Sequence, residues 1–184
     1  MKPLTKGIIV ALIQVLIVCS LGAKLLYDRR TRPQAWFLTA RYDPNLPIRG
    51  RYLGLQIQVD DPRSPDEIQK KFGQMQSVSP NAFGQECGSI VLRGGTPTAA
   101  LEDGTGWDCE NLSFVRSNAV GGTRLRLSEP LLYFIPDTAK DPTGLPRGDE
   151  LWVLATIPRK GPPRPIALGV KKAGETTITP LALN

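Results

Sequence analysis

The sequence contains no histidine. That absence removes Ser-His-Asp and Cys-His nucleophile pairs, HExxH zinc sites and the usual histidine acid–base roles. Cysteine is almost as scarce, with three in 184 residues. Only Cys87 and Cys109 follow the N-terminal segment, and two cysteines without histidine do not make an ordinary structural zinc site. Walker A, GxGxxG and EF-hand loops are all missing, and no SxxK spacing occurs that would mark a Ser–Lys dyad. No run of five like charges occurs either. Nucleic-acid binding, which wants a concentrated basic stripe with interleaved aromatics, is therefore not expected. The sequence singles out no catalytic, cofactor-binding or metal-binding residue, and no cofactor is expected. Paired carboxylates of the glycosidase kind stay open, because such partners meet only in the fold.

What is present is turn-forming. Seventeen prolines and eighteen glycines punctuate the chain, favouring short strands over long helices. Apolar residues make up 41% and charged residues 22%, in the globular range. All 17 acidic residues and 21 of the 23 basic ones follow residue 23, which leaves that part at +4. Such a modest, dispersed excess fits solubility and attraction to anionic lipid or wall polymer.

Gly7 to Ala23 is uncharged over 17 residues, the lower limit for a spanning helix. Lys24 can snorkel so that Leu25, Leu26 and Tyr27 extend the span. A cleaved signal peptide is the competing reading, with Ser20 and Gly22 at the spacing for cleavage after Gly22. The apolar run exceeds the usual signal core of about 7–15 residues, which favours a retained anchor. Val18 is too bulky for a lipoprotein site at Cys19. Counting Lys24, Arg29, Arg30 and Arg32 against Lys2 and Lys6 would put the domain in the cytoplasm. Cys87 and Cys109 argue the other way, as one disulfide in an oxidising compartment, although two cysteines can also stand unpaired. The organisation expected is an anchor (or signal peptide) over 1–27, a juxtamembrane linker over 28–34 and a β-rich extracytoplasmic domain over 35–184.

Strand candidates are 36–41, 52–59, 90–93, 98–101, 112–116, 123–127, 131–135, 151–157 and 166–170. The clearest is 52–59, where Leu53, Leu55, Ile57 and Val59 alternate with Gly54, Gln56 and Gln58 and should face inward. Ser64 to Gln74 is the single helical signal: Ser64 caps, Pro65 takes the first helical position and Glu67 completes a capping box. The Gly94-Gly95 and Gly121-Gly122 pairs read as hairpin turns. Pro158 to Pro165 reads as a stiff hairpin tip, with a PxxP spacing at Pro162 and Pro165 that could also serve as a polyproline ligand. An Arg-Gly turn opens a strand twice, at Arg49-Gly50 and at Arg147-Gly148. The fold class expected is mainly β, a β-sandwich or partly open barrel with one short helix, preceded by an N-terminal transmembrane helix.

Arg49 to Ile57, preceded by Asp43-Pro44-Asn45-Leu46-Pro47, resembles the signature of the bacterial family named for its GDYxxLxY motif. Gly50, Tyr52 and Leu55 match; Arg51 replaces the acidic residue and Ile57 the final Tyr. Tyr133-Phe134-Ile135-Pro136-Asp137 is similar to the family's YFxPE-type segment, and Pro146 to Val170 to its C-terminal strands. The resemblance implies a membrane-anchored protein with no established activity or cofactor.

Together these readings suggest a non-enzymatic accessory or interaction protein of the envelope. It would be single-pass in the inner membrane, with its C-terminal domain in the periplasm, and would partner an inner-membrane protein. The alternatives are a binding protein for an anionic polymer or lipid, and a Ser–Lys hydrolase resembling signal peptidase. Arg49, Gly50 and Tyr52 are the candidate interaction residues, since Tyr and Arg are enriched at binding hot spots while Gly50 suits a turn.

Overall fold

The structure is a computed structural model that describes residues 3–40, 51–68, 70, 85–105, 109, 111–116, 124–136, 138–139, 142 and 144–182. It divides into two units, Met1–Pro33 and Gln34–Asn184.

The first unit is one helix, α1 (Pro3–Thr31). At 1.5 Å per residue it is about 44 Å long, more than the ~30 Å hydrocarbon core of a bilayer. Its stretch Lys6–Thr31 is apolar and long enough to cross a membrane. Ile8, Ile9, Val10, Ile13 and Val18 are all exposed, on every side of the helix, as an element made for an apolar solvent should be. The expected linker over 28–34 needs correction. Helical structure continues into it as far as Thr31, where the Thr31 hydroxyl donates to the Tyr27 carbonyl at 2.8 Å, and Arg32 pairs with Asp28 one turn back at 3.3 Å. Pro33 then stops the helix, since a residue before proline is pushed out of the α region. Strand structure begins at Gln34.

Among the described residues the second unit holds ten strands: β1 (Gln34–Ala40), β2 (Arg51–Asp60), β3 (Gln85–Arg93), β4 (Thr96–Thr105), β5 (Leu112–Arg116), β6 (Arg124–Leu127), β7 (Leu131–Ile135), β8 (Glu150–Thr156), β9 (Arg164–Lys171) and β10 (Thr179–Pro180). The expected mainly β class holds. Five strands close into a barrel in the order β2-β4-β3-β5-β6, with β6 returning to β2. All but one of these pairings are antiparallel; β2 and β4 meet in parallel at Asp60 and Thr98. A row of outer strands, β10-β9-β8-β1, runs away from the barrel and joins it at β2.

β2 is the hinge of this design. Its middle pairs with β1 (Thr39 opposite Ile57), its end with β6 (Val59 opposite Leu125), and its beginning with β7 (Leu53 opposite Tyr133). A strand with neighbours along its whole length must be apolar on its core face, and Leu53, Leu55, Ile57 and Val59 are all buried as the alternation requires. Phe37, Val153 and Leu168 continue that core on the outer strands, and Phe114, Leu125 and Leu127 continue it in the barrel.

Local sequence explains the joints. Gly94 and Gly95 both take positive φ, 58° and 85°, in a two-residue loop that turns β3 directly into β4. Pro158 to Pro165 joins β8 to β9 as a hairpin tip. Cys87 on β3 is bonded to Cys109, which lies beyond β4, with Cα atoms 5.3 Å apart. Ser64 opens a helical turn over 65–68, and its capping box forms: the Ser64 N–H and hydroxyl both donate to Glu67 Oε2, at 2.8 and 2.9 Å. These bonds, the backbone one foremost, hold the Glu67 carboxyl below its ordinary range. The expected helix from residue 71 onward lies outside the described residues, as does Gly121-Gly122.

Candidate interaction site

Of the three residues singled out for interaction, Tyr52 is described; Arg49 and Gly50 lie outside the described residues. Tyr52 is the second residue of β2, on the face opposite Leu53 and Leu55. Alternation therefore turns it away from the core, and 48% of it is exposed. Its direct cross-strand neighbour is Phe134 on β7, whose ring meets it edge-to-face with centroids 5.5 Å apart. Such a pair is held by the complementary edge and face of the two rings. Phe134 is itself 54% exposed. Leu132, two residues earlier on the same face, is 61% exposed. It stands opposite Gly54, which offers no side chain to cover it.

Tyr52, Leu132 and Phe134 are the exposed large apolar residues among the described part of the β-rich unit; the others all belong to α1. Sequence reasoning reached Tyr52 and missed the other two. The signal was available: Leu131 to Ile135 is apolar at every position, so a strand there must turn part of its apolar set outward unless both faces are covered. A scattered surface leucine needs no explanation, whereas an exposed apolar cluster built on two paired strands does.

A second constellation was not legible in the sequence. Asp61, just beyond β2, is wholly buried by its side chain and accepts hydrogen bonds from Arg63 and Arg116. Arg63 also donates from Nη1 to Glu86 Oε1 at 3.1 Å, while its Nη2 lies 2.6 Å from Glu86 Oε2 at an angle too poor for a second bond. Register places these groups together. Arg116 stands opposite the buried Leu125, and Glu86 opposite the buried Phe114, so both point to the barrel interior. Two carboxylates and two guanidiniums thus fill one end of the barrel with no net charge. Burial alone would push the Asp61 carboxyl up, but the bonds from Arg63, and then Arg116, hold it below its ordinary value. The Asp61 bond, opposed by desolvation and reinforced by Glu86, likewise raises Arg63 above its ordinary value. Groups so firmly charged are poorly placed to exchange protons near neutral pH.

Two shallow grooves run from the hairpin tip to Glu129. One is lined by Glu129, Leu131 and Leu132 on the β7 side and by Lys160, Pro162 and Arg164 on the tip side. The other runs past Ser113, Ser128 and Glu129 to Pro162. Among the described residues every lysine is exposed or half-buried, so no serine hydroxyl there faces a buried lysine. Comparison with family models, with curated proteins and with solved structures found no match to this chain.

Proposed function

We propose that this chain is a membrane-anchored interaction module of the bacterial envelope, with no catalytic role of its own, that docks an inner-membrane protein. The observation that carries the reading is the exposed cluster of Tyr52, Leu132 and Phe134 in a unit whose other described large apolar side chains are buried or half-buried. Aromatic side chains at such a cluster give large contact area with little rotamer entropy to lose, which is why they dominate binding hot spots. α1 would hold the module in the membrane as a single-pass anchor. The Cys87–Cys109 bond supports a periplasmic domain, because disulfides persist in oxidising compartments. The resemblance to the GDYxxLxY family supports the same layout.

The test is site-specific photocrosslinking in intact membranes. A crosslinker at Tyr52 or Phe134 is expected to capture one integral membrane protein, and a crosslinker at Lys172, exposed on the segment after β9, is not. The same capture pattern from all three positions would overturn the reading. Compartment is read separately, from the protection of the domain against protease added outside spheroplasts.

A second reading, binding of an anionic polymer or lipid, draws on Lys160 and Arg164 beside the groove at the hairpin tip. It predicts that the Lys160→Gln/Arg164→Gln variant loses co-sedimentation with anionic vesicles, whereas Tyr52→Ala retains it.

A further inference from the structure

The register of the outer strands gives their sheet two unlike ends. Gln34 at the start of β1 stands opposite Thr156 at the end of β8, and Thr156 opposite Arg164 at the start of β9. The other end of the ladder pairs Glu150 with Lys171. The hairpin tip therefore projects past the Gln34 row, on the side from which the chain enters β1. Gln34 is the third residue after Thr31, the last of α1 and of the stretch long enough to cross a membrane. Three residues span no more than about 11 Å even when fully extended. Ile157 to Arg159, at about 3.3 Å each, carry the tip up to about 10 Å past the row. The reach of the tip matches the length of that tether.

The composition of the tip suits a polar, anionic surface. Arg159, Lys160 and Arg164 are all exposed, and none of them is ion-paired among the described residues. Glu129 is the single carboxylate among the residues that line the groove beside them. Pro158, Pro162, Pro163 and Pro165 each fix φ, and Gly161 supplies a positive φ of 84° within the loop. A loop so constrained has little backbone freedom to lose when its cations meet a surface.

We propose that the tip is a second membrane contact, in which Arg159, Lys160 and Arg164 lie among the anionic lipid headgroups of the bilayer that α1 spans. This rests on the second reading above, an anionic ligand at the tip, and names the source of the anion. A basic side chain at an anionic membrane surface favours contact about fivefold, so three favour it on the order of a hundredfold. The anchor confines the tip near that surface, so the contact need not be strong by itself. Its consequence is orientation. With anchor and tip both on the bilayer, β1, β8 and β9 stand with their Gln34 end toward the lipid. Tyr52 lies past the other end of β1, four residues beyond the Gln56 that pairs with Ala40. The exposed cluster is then held away from the bilayer, open to the extramembrane part of a partner.

The experiment uses the full chain in nanodiscs, in a Cys19→Ser background that removes the one cysteine outside the disulfide. A bimane fluorophore is attached at Pro162→Cys in the tip or at Thr176→Cys in the segment after β9, both exposed. The discs hold phosphatidylcholine alone or mixed equally with phosphatidylglycerol, with a nitroxide quencher on some of the headgroups. In the mixed discs the tip is expected to be quenched several-fold more than the Thr176 position. Phosphatidylcholine alone, near-molar salt, or the Arg159→Gln/Lys160→Gln/Arg164→Gln variant should each bring the tip down to the Thr176 level. The salt arm needs no substitution, and an unchanged thermal melt shows that the triple variant is folded. Equal quenching at the two positions, or tip quenching indifferent to lipid charge and salt, would overturn the contact. Dextran sulfate offered to the chain in phosphatidylcholine discs separates this contact from the reading it rests on. Uptake by wild type and not by the triple variant, with the tip unquenched in mixed discs, would sink the lipid contact and leave the second reading standing. Loss of both signals would remove both.

Discussion

Arg63 grips Asp61 with both arms of its guanidinium, Nε to Oδ1 at 2.9 Å and Nη2 to Oδ2 at 2.8 Å, across a separation of two residues. The Arg63 backbone N–H adds a third bond to Oδ1 at 3.1 Å. Such a pair is stabilising only while every member is present, because removing one partner leaves the others buried and charged. Asp61→Ala is therefore expected to destabilise the domain by about 3–5 kcal/mol, seen in urea melts. Arg124→Ala is the control. It removes an ion pair to Asp60 at 3.4 Å whose partners are nearly half exposed, and its melt should shift little.

The same cluster predicts how stability depends on pH. The folded-state pKa of Asp61 lies below its ordinary 3.8, so the unfolded chain takes up the proton first as pH falls. The stability this carboxylate contributes is present in full above about pH 4–5 and fades as pH drops through the lower folded value. Melting temperature should be flat from pH 7 to 5 and fall steeply below 4. Asp61→Asn should begin lower and fall less steeply. An acid limb of the same slope in wild type and Asp61→Asn would place the sensitivity in other carboxylates.

Local grammar is what made most of the fold legible. Alternation located β2, the apolar run located β7 at its observed bounds, and the Gly94-Gly95 pair located the β3–β4 hairpin. The helix end was misplaced because charged residues beyond an apolar span look like a linker, although Arg and Asp one turn apart continue a helix readily. β10 went unseen because two residues carry no periodic signal. Barrel closure was also out of reach, since pairing β6 with β2 depends on contacts between residues more than sixty positions apart. The ion cluster had the same problem: nothing local at Glu86 or Arg116 marks either as the partner of a loop at Asp61–Arg63. Tyr52 was legible from its place in a motif, whereas Phe134 became its partner only through strand pairing.

Leu55 tests the core. It is 2% exposed, sits midway along β2 and faces Leu131 of β7 across the ladder. Leu55→Ala should cost about 2–5 kcal/mol, the range for truncating a buried leucine in a packed interior. A wild-type melt would mean that this strand's register is other than described.

The disulfide makes a separate prediction. Cys87 and Cys109 close a loop with a sequence separation of 22, worth about 3 kcal/mol in the chain-entropy model. Neither thiol of the folded domain should alkylate without reductant, whereas exposed Cys19 should do so once the anchor is dissolved in detergent. Reduction should lower the melt in wild type and leave a Cys87→Ala/Cys109→Ala variant unmoved. Ready labelling of Cys87 without reductant would also remove the main support for a periplasmic domain.

Tyr52 and Phe134 separate binding from folding. Each is about half exposed, and their edge-to-face contact is worth about 0.5–1.5 kcal/mol beyond area burial. Tyr52→Ala and Phe134→Ala should therefore each lower stability by no more than about 1.5 kcal/mol, with the double variant costing less than the sum because both singles break the same contact. Binding should respond differently. If these rings are anchors for a membrane-protein partner, each substitution should remove more than about 1 kcal/mol of affinity, roughly a fivefold or greater loss of crosslinking at limiting expression. Tyr52→Phe keeps the ring and the area and loses only the hydroxyl, so it should retain the melt and most of the capture. Wild-type capture in both alanine variants would mean that the rings merely cover the sheet. Capture lost in Tyr52→Phe as well would point instead to a hydrogen bond from the Tyr52 hydroxyl to the partner.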